Sequence, residues 1–271
     1  MVRTDVPRGD HRRVLGVVHP DFRPLQNREG AEMFHRLLDV GERRYHTGGY
    51  LRSGEVVWLL ARLPHWIAVD KNDAVETYLL YSNSHDGSQA IDIRLTTVRV
   101  VCRNTLSQAL HTGGAQAFRR AHRPSSDAIE KEAKTFFEAT RKSIEETQAL
   151  FRRLASRRCD DDAFERFAQA LLPDPRPPSG VRPSGPQEKA HATRVATLAE
   201  NRAALRHIRK SGLVERNLPP DPPTWWGAVN AVTGWVDHVQ PVKGARYAHA
   251  MFGSGERIKR AAIELAKAAL A

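Results

Sequence analysis

The chain has 271 residues, 41% hydrophobic and 27% charged, a balance that excludes wholesale disorder and suits one large domain or two modest ones. Basic residues exceed acidic ones by 42 − 31 = 11, so polyanions, nucleic acid first, head the prospective partners. No apolar run approaches the ~18 residues of a membrane span, the N-terminus lacks the apolar core of a secretory signal, and Cys102 and Cys159 are too few for a disulfide framework or a zinc knuckle. A cytoplasmic protein with no membrane partner is expected.

In chain order, residues 1–15 hold no periodic apolar pattern and read as a flexible arm. Residues 16–125 read as an α+β body. A short helix is predicted over Glu29–Val40, with Met33, Phe34, Leu37 and Leu38 on one side. Tyr50-Leu51 and Glu55–Leu63 flank Arg52-Ser53-Gly54 as a hairpin, and Trp66–Val69 follows as a separate extended piece. Glu76–Tyr81 and Ala90–Thr97 form a second hairpin around residues 82–88. In its last strand Ile91, Ile93 and Leu95 alternate with Asp92, Arg94 and Thr96, which predicts one buried and one wet face. The strand Val98–Cys102 leads to Asn104, a suitable N-cap for a helix over Thr105–His111.

From Asp127 apolar residues recur every three and four positions, predicting a long amphipathic helix to Ser156, and a second helix starts at Asp160-Asp161-Asp162 and stops at Pro173. The two occupy 126–172. Six prolines and two glycines in 173–186 mark a linker, and 187–271 is a helical region. There the stripe Trp225, Val229, Val232 and Trp235 is expected to pack on the long helix. The fold class is therefore α+β: an antiparallel sheet of hairpins with packed helices, followed by a mostly helical C-terminal region.

Three clusters carry candidate chemistry. Arg94, Arg99 and Arg103 run along the last strands, and Arg119, Arg120 and Arg123 follow; arginines so placed suit a phosphate track, with Tyr78 or Tyr81 as a stacking face. The competing reading is a solvated sheet face balanced by Asp92 and Glu76. Asn83-Ser84-His85-Asp86-Gly87 is either a hairpin turn or, with Cys102 as nucleophile, a catalytic set with His85 as base and Asp86 as its orienter. Asp237-His238 offers two ligand types without the spacing of a metal site, and Gly253-Ser254-Gly255 is a weak anion-binding turn. No metal and no cofactor is expected. The basic excess lies mainly in residues 116–215, with 20 basic and 14 acidic side chains, although 33 arginines against 9 lysines also fits a GC-rich coding bias.

Several sequence words occur together: Pro24-Leu25-Gln26-Asn27-Arg28-Glu29, Gly49-Tyr50-Leu51, Val57–Pro64, Tyr78-Leu79-Leu80 before Asn83–Ser88, and Val98–Leu106. Trp226–Thr233, Val236-Asp237-His238, Phe252–Gly255 and Lys259 complete the series. Together they resemble the phage/plasmid-like protein family, a bacterial and phage domain of unknown function (932). The resemblance covers about Val14 to Leu270. It implies a mobile-element setting in a bacterial or phage-infected cell and supplies no catalytic residues; the segment that many members carry before the Pro-Leu-Gln-Asn-Arg word is not seen here. The order of hairpins, strand and helix is also similar to the β-β-β-α core of recombination mediators that anneal single strands. The leading expectation is a protein that binds single-stranded DNA in annealing, recombination or replication, and a homo-oligomer is compatible with it. The alternatives are an enzyme built on His85, Asp86 and Cys102, and a host-interaction or anti-defence protein docking through the Phe136/Phe137 helix.

Overall fold

The computed structural model describes residues 14–38, 44–71, 73–99, 105–106, 117–122, 126–177, 185–216, 218–244 and 246–271. Glu29 opens the first helix, α1 (Asn27–Leu37), by accepting from the Gln26 N–H at 3.0 Å, one half of a capping box. Met33, Phe34 and Leu37 then fall on its buried side. Six strands follow: β1 (Arg44–Leu51), β2 (Val56–Asp70), β3 (Asp73–Ser84), β4 (Ile91–Arg99), β5 (Thr105–Leu106) and β6 (Ala117–Arg120). They form one antiparallel sheet in the order β1-β2-β3-β4-β5, with β6 also paired to β4.

Helices complete the chain: α2 (Ser126–Ser156), α3 (Asp161–Leu171), α4 (Gly185–Ser211), α5 (Trp225–Gly234), α6 (Arg246–Phe252) and α7 (Ser254–Ala268). A 3₁₀ turn spans Val214–Arg216, and a π-helical turn, Trp235–Val239, extends α5. The fold is α+β, as the patterning predicts. Two compact units emerge. One holds α1, β1, most of β2–β4, β6 and α2 up to Gln148; the other holds Val69–Asp73, β5 and Ala149–Ala271.

Four local expectations are corrected. β2 runs unbroken through Pro64, because the β1 ladder ends at Arg62 and the proline lies past it, where a missing N–H is tolerated. Both faces of β4 are covered: Asp92, Arg94 and Thr96 are as buried as Ile91, Ile93 and Leu95. Asp92 and Arg94 tolerate this because they pair with each other. Thr105-Leu106 is strand rather than the start of a helix, since pairing in the sheet outweighs local helix preference. The rest of that predicted helix, residues 107–111, lies outside the described residues. Finally, the ring contacts of the Trp225-Trp226 segment divide: Trp226 meets Phe151 of α2, whereas Trp225 meets Phe167 of α3.

The sheet unit is closed by aromatic contacts. Phe34 of α1 stacks on Tyr81 of β3, Phe136 of α2 meets Phe118 of β6, and Arg36 makes a forked ion pair with Glu130 that ties α1 to α2.

In the helical unit Asp160 caps α3 by accepting from Ala163 N–H, and Thr224 caps α5 by accepting from Gly227 N–H. Gly227 is required where it stands: a Cβ there would lie 2.4 Å from the Pro222 carbonyl oxygen. Asn230 donates to the Trp226 carbonyl and Trp226 Nε1 donates to Asp73, so the Trp-Gly-Ala-Val-Asn word is explained by packing.

At the centre of this unit the fully buried Lys259 of α7 donates to Asp237 of the π-helical turn at 2.8 Å, with neither side chain more than 6% exposed. Burial holds the Lys259 ammonium below its ordinary pKa, and Asp237 opposes that shift. Removing one partner breaks a buried ion pair, so Lys259→Met should lower unfolding free energy by about 3–5 kcal/mol. The double variant Lys259→Met/Asp237→Leu should regain most of that loss, as read by urea denaturation.

Candidate functional site

Two of the sequence words meet in the sheet unit. The loop ahead of α1 lies against the end of β3: Asn83 Nδ2 donates to the Leu25 carbonyl at 2.8 Å, and His85 Nε2 lies 2.7 Å from Asn27 Oδ1. Gly30 sits against the Tyr81 hydroxyl, where any Cβ would collide. Beyond β3 the chain turns tightly. Asp86 accepts from Ser88 N–H and pairs with Arg52 of the neighbouring hairpin turn, while Gly87 takes φ +74°, which glycine adopts without strain. His122 stacks on Phe22 at 4.4 Å, and its carbonyl accepts from Arg23 N–H.

His85 and Asp86 therefore serve different partners, Asn27 for the first and Arg52 with Ser88 for the second. Cys102 lies outside the described residues. Cys159 is buried, and desolvation pushes its thiol up to about 11.

Burial also lowers His85 and His122 below the free imidazole value of 6.5. The unfolded chain accordingly takes up protons first on acidification, so their contribution to stability is present above 6.5 and is lost as pH falls through that value towards the folded pKa values. His122→Phe, which keeps the stack on Phe22, should show a shallower fall in melting temperature between about pH 7 and 5 than the unaltered protein.

The arginines of the proposed track are engaged within the fold wherever they are described. Asp92 and Arg119 are cross-strand partners in the β4–β6 ladder, and Asp92 is held by Arg119 at 2.7 Å and by Arg94 at 2.9 Å. Arg94 is buried, whereas Arg119 keeps 56% of its side chain exposed. Arg120 pairs with Glu132 of α2 and lies over the Phe118 ring. The side chain of Arg99 lies outside the described residues, as do Arg103 and Arg123. Tyr78 and Tyr81 are 2% and 1% exposed and offer no stacking face; the exposed tyrosines among the described residues are Tyr45 and Tyr50 of β1. Phe136 belongs to the core, and the side chain of Phe137 lies outside the described residues.

Four basic side chains of α4 are likewise engaged within the fold. Arg202 pairs with Asp174 and donates to the Leu172 carbonyl, Arg206 pairs with Glu165, and Lys210 with Asp161. Arg209, buried over the Phe164 ring, donates to the Cys159 and Pro222 carbonyls. These contacts lace α4 to α3 and to the proline segment.

A different group is left facing water. Arg153, Arg157 and Arg158, at the end of α2 and just beyond it, are all exposed; no carboxylate occurs in the sequence from Thr147 to Cys159, and Asp160-Asp161-Asp162 follows. Arg153 makes one long contact, 3.4 Å, to the Leu270 carbonyl. Nearby Ala155 lines a cavity of about 290 Å³ that also takes Asp70, Asp73, Asp221 and Arg209. Three carboxylates against one guanidinium make that cavity unsuitable for a phosphate. A second cavity, about 480 Å³, is bordered by His207, His238 and Arg216 and by the exposed Val214 and Val239.

Asp237 meets Lys259 rather than a metal, and no group of three or more potential ligands occurs among the described residues. Gly255 of the Gly-Ser-Gly turn is buried against His249 and Val236, where a Cβ would stand 2.7 Å from both. That glycine serves close helix packing.

The arginine pairing in the sheet has a measurable consequence. Asp92→Ala removes the buried carboxylate that Arg94 and Arg119 both meet and should cost about 3–5 kcal/mol of stability. Arg119→Ala removes a half-exposed partner and should cost about 1 kcal/mol or less. Chemical denaturation of the two variants checks the order.

No helix among the described residues is long and apolar enough to cross a membrane. Comparison with curated proteins and with solved structures finds no match. A family model does match, over residues 14–265 and so across both units, and the chain belongs to the family described as a domain of unknown function, DUF932.

Proposed function

We propose that this protein binds nucleic acid and holds it single-stranded, in annealing, recombination or replication of a mobile element. The observation that carries the reading is the exposed group Arg153, Arg157 and Arg158, set within a chain of net charge +11. Guanidinium groups that face water are available to phosphate oxygens, and each phosphate neutralised releases condensed counterions. The paired arginines Arg94, Arg119, Arg202 and Arg206 stand apart from this role, because a phosphate would have to compete with a carboxylate already in place. The phage and plasmid setting implied by the sequence words agrees with a nucleic-acid partner.

The double variant Arg157→Ala/Arg158→Ala should weaken binding to a labelled oligonucleotide, and the slope of log affinity against log salt should fall by about 2, roughly one for each arginine. An unchanged affinity and slope would remove this surface from the interface. Fluorescence anisotropy across a salt series is the measurement.

A further inference from the structure

Arginine–phosphate contacts hold duplex and single strand alike, so they do not account for a preference between them. Such a preference needs aromatic rings open to unstacked bases. Two tyrosines among the described residues are exposed, Tyr45 at 47% and Tyr50 at 66%, and both lie on β1. β1 ends the strand order of the sheet.

Their spacing, five positions apart, would place them on opposite faces of a regular strand. The ladder to β2 shows why it does not. Tyr45 pairs with Ala61 but Thr47 pairs with Leu60, so His46 is the extra residue of a β-bulge. From there Gly48 pairs with Leu59 and Tyr50 with Val57. Ala61, Leu59 and Val57 share one face of β2, so Tyr45, Gly48 and Tyr50 share that face too. The opposite face, formed by Val56, Trp58 and Leu60, is buried, and the shared face is covered at Ala61 and half open at Leu59 and Val57.

The shared face is built as a shallow trough. Tyr45 forms one wall, steadied by a near-parallel stack on His35 and a 3.2 Å contact between its hydroxyl and His35 Nδ1. Tyr50 forms the other, about 13 Å along the strand at the usual rise for four paired steps. Between them Gly48 contributes no side chain, Leu59 covers it with its Cδ2 2.8 Å from where a Cβ would stand, and half-covered Leu59 and Val57 supply an apolar floor. The surrounding sequence, Arg43-Arg44-Tyr45-His46-Thr47-Gly48-Gly49-Tyr50-Leu51-Arg52, holds three arginines, a histidine and two tyrosines and contains no carboxylate.

We infer that the Tyr45–Gly48–Tyr50 face of β1 is a base-stacking edge for single-stranded nucleic acid. It rests on the nucleic-acid reading above and adds to it the origin of strand preference. The bulge aligns two rings on one face, and Leu59 and Val57 lay an apolar floor between them for unstacked bases. Duplex bases, already stacked on one another, have no ring faces to offer this edge.

The test uses the full chain with a thymidine oligonucleotide, the corresponding duplex, and three variants: Tyr50→Ala, Tyr50→Phe, and Arg157→Ala/Arg158→Ala. Tyr50 is largely exposed, so the fold should survive its truncation, which a melting curve verifies. Tyr50→Ala should lower the ratio of single-strand to duplex affinity about tenfold, the scale of one lost base–aromatic stack, and Tyr50→Phe should restore it. An oligonucleotide carrying 5-iodouracil should cross-link to the peptide containing Tyr50. A ratio unchanged in Tyr50→Ala, with affinity reduced in the arginine variant, overturns the stacking edge and leaves the nucleic-acid reading standing. If the unaltered protein binds neither oligonucleotide at low salt, both fall.

Discussion

The sheet unit depends on the contact between the segment ahead of α1 and the end of β3. Asn83 and His85 meet Leu25 and Asn27, and these contacts fix where α1 begins and which part of the sheet it covers. From that placement the rest follows: Phe34 reaches Tyr81, Arg36 reaches Glu130 on α2, and His35 comes to rest against Tyr45. The polar residues of the Asn-Ser-His-Asp-Gly turn hold this join, and an amide and an imidazole buried there are stable because each meets a partner.

The arginine excess looks different once the internal pairs are drawn. Guanidinium groups stitch α4 to α3, close the β4–β6 ladder around Asp92, and join α1 to α2. An arginine suits these roles because its planar fork can satisfy a carboxylate and a carbonyl together, as Arg202 does with Asp174 and Leu172. Net charge thus overstates the surface available to a polyanion. Exposed basic side chains remain at the end of α2, at Arg153, Arg157 and Arg158, and elsewhere, as at Arg166, Arg176 and Arg194.

The helical unit contains a second kind of buried charge. Lys259 and Asp237 face one another in its core, at a π-helical turn. Such turns often accompany function. Here the turn carries the carboxylate that meets a lysine entirely removed from solvent. Around it Gly255 permits close approach of α7 to His249 and Val236, so the Phe-Gly-Ser-Gly word and Lys259 belong to one packing arrangement.

Much of the architecture was legible in the residues themselves. The α+β class, the long helix from Ser126 to Ser156, the cap at Asp160 and the hairpin turn at Arg52–Gly54 all follow from periodicity and capping chemistry, which act over a few neighbouring residues. So did the family, through words spread along the chain. Tertiary structure alone decided which charges meet. Asp92 and Arg119 are far apart in sequence but paired across strands, and Tyr78 and Tyr81 differ from Tyr50 only in what covers them. The bulge at His46 belongs to the same class, because a residue's face depends on its partner strand's register, and no local pattern records that register. The basic and aromatic residues of 43–52 were present in the sequence throughout; their two tyrosines share an exposed face only because β1 pairs with β2 one residue out of step.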